Sequence, residues 1–157
     1  MNPTSHNISL IRVCKEHLDE LADDLRLADR RELWACYRLR ARDGLELCVR
    51  YSVETVAFLY EGKIAAVAGI APMSLLGNEA CVWSWTGRQV LKCPKAFLTV
   101  SKLVVKRFKR LYPHLYAACD VRYKQAGRYL ECLGAQAVAD RFFLAGTETS
   151  FQWYQWK

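Results

Sequence analysis

A chain of 157 residues, 52% hydrophobic and 25% charged, is long enough to bury one sizeable core and too apolar to be disordered. Its formal charge of +7 and pI near 9.1 attract acidic partners on charge alone, whether nucleic acid, a phosphorylated cofactor or an acidic protein face. Seven scattered cysteines, none at C-x-x-C spacing, argue against a zinc site or a disulfide framework and for a reducing compartment. The opening MNPTSHNISL has no leader pattern, and the longest apolar run, residues 64–76, is too short to span a bilayer. A soluble cytoplasmic protein of one domain, residues 1–157, with no membrane partner is therefore expected.

In chain order, ISLIRVC from Ile8 to Cys14 has the β-branched content of a strand. Leu18, Leu21, Ala22 and Leu25 then share one face of an acidic helix that starts near Lys15. Its carboxylates form either a docking face for a cationic substrate or a solvated face. Asp29 and Glu32 have capping-box spacing and open a second helix; Asp43 and Glu46 repeat it before a third, from Gly44 to about Val53. TVAFLY, a three-residue Glu61-Gly62-Lys63 connection, and the return from Ile64 to Ala71 form a hairpin, extended to a meander by a strand from Ala80 to Thr86.

The stretch from Ala80 to Leu111 is a strand, a basic loop and an amphipathic helix beginning near Pro94. A strand that empties into a helix N-terminus makes an anion site, because first-turn amides lack partners and the helix dipole adds positive potential. Arg88, Lys92 and Lys95 add charge there. LYAACDV suits a buried strand parallel to the preceding one, and a further helix stops at Gly134. The tail gives strand pieces around Val138, from Phe142 to Leu144 and from Phe151 to Trp156, joined by the turn Ala145-Gly146-Thr147-Glu148. The order describes a mixed α/β domain with a mostly antiparallel sheet.

This order, with VAFLYEGKIAAVAG, the loop and helix from Thr86 to Leu111, and RYKQAGRYLECLG, resembles the GNAT (Gcn5-related N-acetyltransferase) fold. LELCVRYSVE, KCPKAFLTVSK, RYLECLG and the aromatic final strand resemble a bacteriophage branch grouped with small internal virion or virion-assembly proteins of T-odd podophages. The resemblance implies acetyl-CoA as cofactor, no metal, a host or phage protein as partner, and residence in the host cytoplasm. It puts the pyrophosphate at Arg88, Lys92, Cys93 and Lys95 and the pantetheine along the strand from Val82 to Thr86, with Trp85.

In the family's Q/R-x-x-G-x-G/A loop the glycines let backbone approach phosphate. Here Arg88 fits the first position, while Leu91 and Cys93 replace the small residues and Pro94 brings no N–H. The family's acid, a tyrosine, falls at Leu130, with Tyr129 one residue earlier. Catalytic candidates are Tyr129 as acid and Asp120 or Glu79 as base; Asp120 and Glu79 also have structural readings. His6, His17 and His114 are isolated. Trp83 and Trp85 share one strand face and, with Trp153 and Trp156, either floor a cleft or form core and rim. Three functions remain open: an N-acyltransferase or its degenerate descendant, a non-catalytic binding protein for virion assembly or host takeover, and, as a subordinate reading, nucleic-acid binding through Lys102, Lys106, Lys109 and Arg110.

Overall fold

A computed structural model describes residues 7–143 and 149–157, with the side chains of 139–143 excepted. The expectations for His6, for Leu144 and for the turn 145–148 lie outside the described residues. Seven strands form one sheet in the order β1-β2-β3-β4-β5-β7-β6, in which every neighbouring pair is antiparallel except β4 with β5. The strands are β1 (Ile8–Ile11), β2 (Glu54–Tyr60), β3 (Lys63–Pro72), β4 (Glu79–Thr86), β5 (His114–Asp120), β6 (Gln136–Phe143) and β7 (Ser150–Trp156). The helices are α1 (Lys15–Asp24), α2 (Leu27–Tyr37), α3 (Ala41–Arg50), α4 (Pro94–Leu111) and α5 (Lys124–Cys132). This is the mixed, mostly antiparallel α/β sheet flanked by helices that the element order predicts.

Strand periodicity divides the core into two layers. Ala66, Ala68 and Ile70 of β3, Leu115 and Ala117 of β5, and Tyr154 and Trp156 of β7 face α4 and α5, where Phe97, Val100, Val104 and Phe108 pack on them. Ile64, Val67 and Trp85 face the other way, against Leu18, Leu21 and Leu25 of the α1 segment, Leu33 of α2 and Leu45 of α3.

Local corrections have local causes. The first strand ends at Ile11 because Cys14 caps α1, its N–H donating to His17 Nδ1 at 3.0 Å. The second helix begins at Leu27, not Asp29, since the preceding Arg26 is pinned by its N–H to the Thr86 carbonyl at 3.1 Å. The third runs from Ala41 to Arg50, three residues ahead of its expected range, and Ser52 Oγ donates to the Cys48 carbonyl just past its end. The hairpin turn is two residues long, with Tyr60 opposite Lys63, and Glu61 and Gly62 take φ of 49° and 80°. Two consecutive positive φ values match the right-handed twist of the strands they join, and glycine supplies the second without a Cβ penalty.

Three of the five acids of α1 are engaged within the fold. Asp19 accepts from Arg42 Nε at 2.5 Å, Asp24 from Arg88 Nε at 2.9 Å, and Glu20 from the Ile64 N–H at 3.2 Å. They tie α1 to α3, to the loop after β4 and to the β2–β3 hairpin. No described helix is long and apolar enough to cross a membrane.

Candidate functional site

Parallel β4 and β5 pair through only three positions, from Glu79 opposite His114 to Cys81 opposite Tyr116. Beyond them the strands part: β4 continues on β3 to Thr86, and β5 continues on β7 to Asp120. From Val82 onward the β5 side of β4 therefore has no strand partner. The opening lies at the C-terminal ends of two parallel strands, where the crevice of an α/β sheet receives ligands.

The α1–α2 junction closes one end of it. Leu25 bridges to Gly87, and Gly87 N–H donates to the Ala65 carbonyl at 2.8 Å. Asp29 is buried and accepts from Thr86 N–H, Thr86 Oγ1 and Arg26 Nε, all at 2.9 Å. The three donors satisfy this buried carboxylate, which fixes the end of β4 to α2. Asp120, fully buried at the end of β5, accepts from Arg122 through its N–H and its guanidinium, with Nη2 at 2.6 Å from Oδ2. Its geometry is that of an ion pair holding the strand end.

Glu32, one turn into α2, is the residue that sequence reasoning assigned only to a cap. Burial, with the carboxylates of Asp29 and Asp120 nearby, pushes it from 4.5 up to about 8, against the opposing pull of the Asp120 backbone N–H and the Arg122 guanidinium. A carboxyl that takes up a proton near neutrality suits general base chemistry, because base strength and the unprotonated fraction are both useful at that pH. A signal was present: Asp29, Glu32 and Cys36 fall at i, i+3 and i+7, a polar stripe along one face of the helix.

On the opposite side of the sheet, Tyr129 of α5 donates to Ser101 Oγ of α4 at 2.5 Å and stacks on Phe97 at 5.5 Å between centroids. Burial raises its pKa, while Ser101 and the charge of Arg26 oppose the rise. The Arg26 guanidinium, whose backbone N–H is bonded to the Thr86 carbonyl at the end of β4, lies within electrostatic reach of the phenol. Leu130, at the family's tyrosine position, packs partly buried against the core.

After Gly87 the loop forms a 3-10 turn from Arg88 to Lys92, in which Val90 N–H bonds to the Gly87 carbonyl and Cys93 N–H to the Val90 carbonyl. Those two amides are spent within the turn. Arg88 turns away to Asp24, and Cys93 is buried with its Sγ on the Gln89 carbonyl. Lys92 and Lys95 are exposed. At the start of α4, Pro94 has no N–H and Phe97 N–H is used by the Cys93 carbonyl, leaving the amides of Lys95 and Ala96 without a backbone partner.

Two sequence-derived candidates lie apart from this assembly. Glu79 begins β4 at its paired end, about 23 Å along the strand from Thr86, and accepts from Tyr116 Oη at 3.4 Å. Trp85 is buried on the α1–α3 face, with Nε1 on Cys48 Sγ at 3.3 Å, and Trp83 Nε1 bonds Ser52 Oγ at 2.7 Å. Trp156 lies in the opposite layer with its Nε1 on the Leu133 carbonyl, so the tryptophans do not make one floor.

All seven cysteines are free. Burial pushes Cys36 and Cys119 up to about 12 and Cys81 to about 11, which keeps these thiols protonated and unreactive. Among the described residues no group of three or more His, Cys, Asp or Glu is placed to hold a metal ion.

Sequence comparison finds no matching family model and no matching curated protein. Structure comparison gives the class: the chain has the GNAT fold of the N-acetyltransferases. It is similar to the ribosomal L7/L12 α-N-protein acetyltransferase RimL, solved with coenzyme A, at a TM-score of 0.71 and 12% identity over 98% of this chain and 95% of that one. The ribosomal-protein-alanine N-acetyltransferase of Brucella melitensis matches at 0.69 with 11% identity, over 93% of this chain and 97% of that one. The microcin C7 self-immunity acetyltransferase MccE, solved with acetyl-CoA and AMP, matches at 0.67 with 13% identity, over 96% of this chain and 92% of that one.

Proposed function

We propose that the protein is an acyl-CoA-dependent N-acyltransferase that modifies an amine on a host or phage protein. The observation that carries the reading is the parting of β4 and β5 after three residue pairs, with Glu32 within electrostatic reach of Asp120 at the end of β5 and Tyr129 within reach of Arg26 beside the end of β4. The chain's residues fit the cofactor by charge rather than by a glycine cradle: Lys92 and Lys95 stand beside the free amides of Lys95 and Ala96 at the head of an 18-residue helix. Bound acyl-CoA supplies a thioester whose C–S bond is exchanged for an amide bond. The unpartnered edge of β4 from Val82 lines the pantetheine. Glu32 takes the proton of the acceptor ammonium, and Tyr129 holds a hydroxyl proton for the departing sulfur. Incubation with isotopically labelled acetyl-CoA and a host lysate tests this by mass spectrometry. Labelled lysines or N-termini that vanish with Glu32→Gln support the reading; unlabelled protein throughout opposes it.

A second reading, a non-catalytic protein-binding factor in virion assembly or host takeover, draws on the closed 3-10 turn and on the Tyr129–Ser101 bond between α4 and α5. It predicts a stoichiometric partner whose binding is indifferent to acetyl-CoA and to a Lys92→Ala, Lys95→Ala double change. The resemblance to a bacteriophage branch supports a site of action in the host cytoplasm under either reading.

A further inference from the structure

The end of the sheet opposite the candidate site carries a feature that acyl transfer does not use. The β3–β4 connection, residues 73–78, is exposed throughout, and at its tip Leu75 and Leu76 are each 101% exposed, with Met73 beside them at 47%. A loop tip is ordinarily polar, so a leucine pair held fully in water marks a surface built to leave water. The tip stands on a closed base: Met73 N–H donates to the Glu79 carbonyl at 3.0 Å, and His114 N–H to the Asn78 carbonyl at 3.4 Å.

The same bonds identify its surroundings. His114 follows the C-terminus of α4, which brings Lys106 and Arg110 of its last two turns to this end. Val53 N–H donates to the Ile70 carbonyl at 2.9 Å, bringing the end of α3 with Arg50. All three cations are exposed, and none has an ion-pair partner among the described residues. The two acids at this end, Glu54 and Glu79, are engaged by Arg107 and Tyr116.

We propose that this end of the protein docks on an anionic lipid bilayer, with Leu75 and Leu76 entering the boundary between headgroups and acyl chains while Arg50, Lys106 and Arg110 meet the headgroups. The order of the chemistry favours a bilayer. A fully exposed apolar tip at the same end as a set of cations unpaired among the described residues matches hydrocarbon lying beneath anionic headgroups. Nucleic acid offers the anions without an apolar layer below them, and Leu75 and Leu76, both fully exposed, have no wall beside them among the described residues against which a partner helix or strand could lie. The expectation of no membrane partner came from the absence of a spanning segment. Lying on a bilayer needs no span.

Flotation of the full chain with phosphatidylcholine vesicles, with and without about 30% phosphatidylserine, tests the proposal. The protein is expected to float with the anionic vesicles only, to be released toward about 0.5 M salt, and to lose at least about tenfold in bound fraction in Leu75→Glu, Leu76→Glu. Arg50→Glu, Arg110→Glu provides a second variant with an equal expected loss, and circular dichroism verifies that both fold. No flotation, or flotation unchanged by the leucine substitutions, overturns the proposal. So does a dimer in light scattering that the leucine substitutions dissolve while vesicles are ignored, and so does duplex DNA binding that survives those substitutions without flotation.

Discussion

The phenolic hydroxyl of Tyr129 on α5 donates to Ser101 Oγ on α4 at 2.5 Å, joining two helices that approach the sheet beside its parted strands. The bond gives the two side chains separable roles. Tyr129→Phe keeps the stack on Phe97 and removes the proton, while Ser101→Ala keeps the proton and removes its partner. Each is expected to cost about 1 kcal/mol in urea unfolding. Only Tyr129→Phe should cut acyl transfer, by about a hundredfold in kcat. Equal activity losses in the two variants would make the bond structural.

Glu32 gives the protein a pH signature. Its folded pKa lies above the ordinary value, so folding favours the protonated form. The stability this adds is fully present below pH 4.5 and is lost as pH rises toward and through about 8. Glu32→Gln should therefore match the parent in thermal unfolding at pH 4 and exceed it at pH 9, by about 2 kcal/mol after allowance for the side chain's partial exposure. Acyl transfer by the parent should rise along a limb near pH 8, and the variant should lose that limb.

Asp29 is the fastening between α2 and the end of β4. Asp29→Ala leaves Thr86 N–H and Arg26 without their acceptor, and about 3 kcal/mol of stability should be lost in denaturant titration. Thr86→Val removes only the Oγ1 bond and should cost about 1 kcal/mol.

Gly44 lies where α3 meets α2. A Cβ there would stand 2.2 Å from Leu33 Cδ2, and Leu33 is fully buried. Gly44→Ala should lower stability by about 1–3 kcal/mol despite its better helix propensity, and trimming the neighbour to Leu33→Ala in the same chain should recover part of the strain.

The sheet was legible because the alternation in TVAFLY, the EGK turn and the buried run LYAACDV are local signals of strand and return. The head of α4 was legible because Pro94 favours the first helical position and the apolar residues that follow keep a 3.6 period. The short pairing of β4 with β5 was not, since divergence of two strands is set by helices packed elsewhere and leaves no mark in either segment. Glu32 was read as part of a cap because the spacing from Asp29 satisfied a local rule. The true start of α2 depends on Arg26 reaching the Thr86 carbonyl, a contact across 60 positions that no window of sequence contains. Glu79 looked like a base because it precedes a site-lining strand, yet distance along that strand separates it from the opening.

An acyltransferase of this build must first bind its cofactor. Isothermal calorimetry with acetyl-CoA at low salt should show one site per chain, weakened about tenfold or more by Lys92→Ala, Lys95→Ala and left in place by Glu79→Gln. Absence of any heat of binding, or binding indifferent to the two lysines, would contradict the acyltransferase reading and leave the protein-binding one in its place.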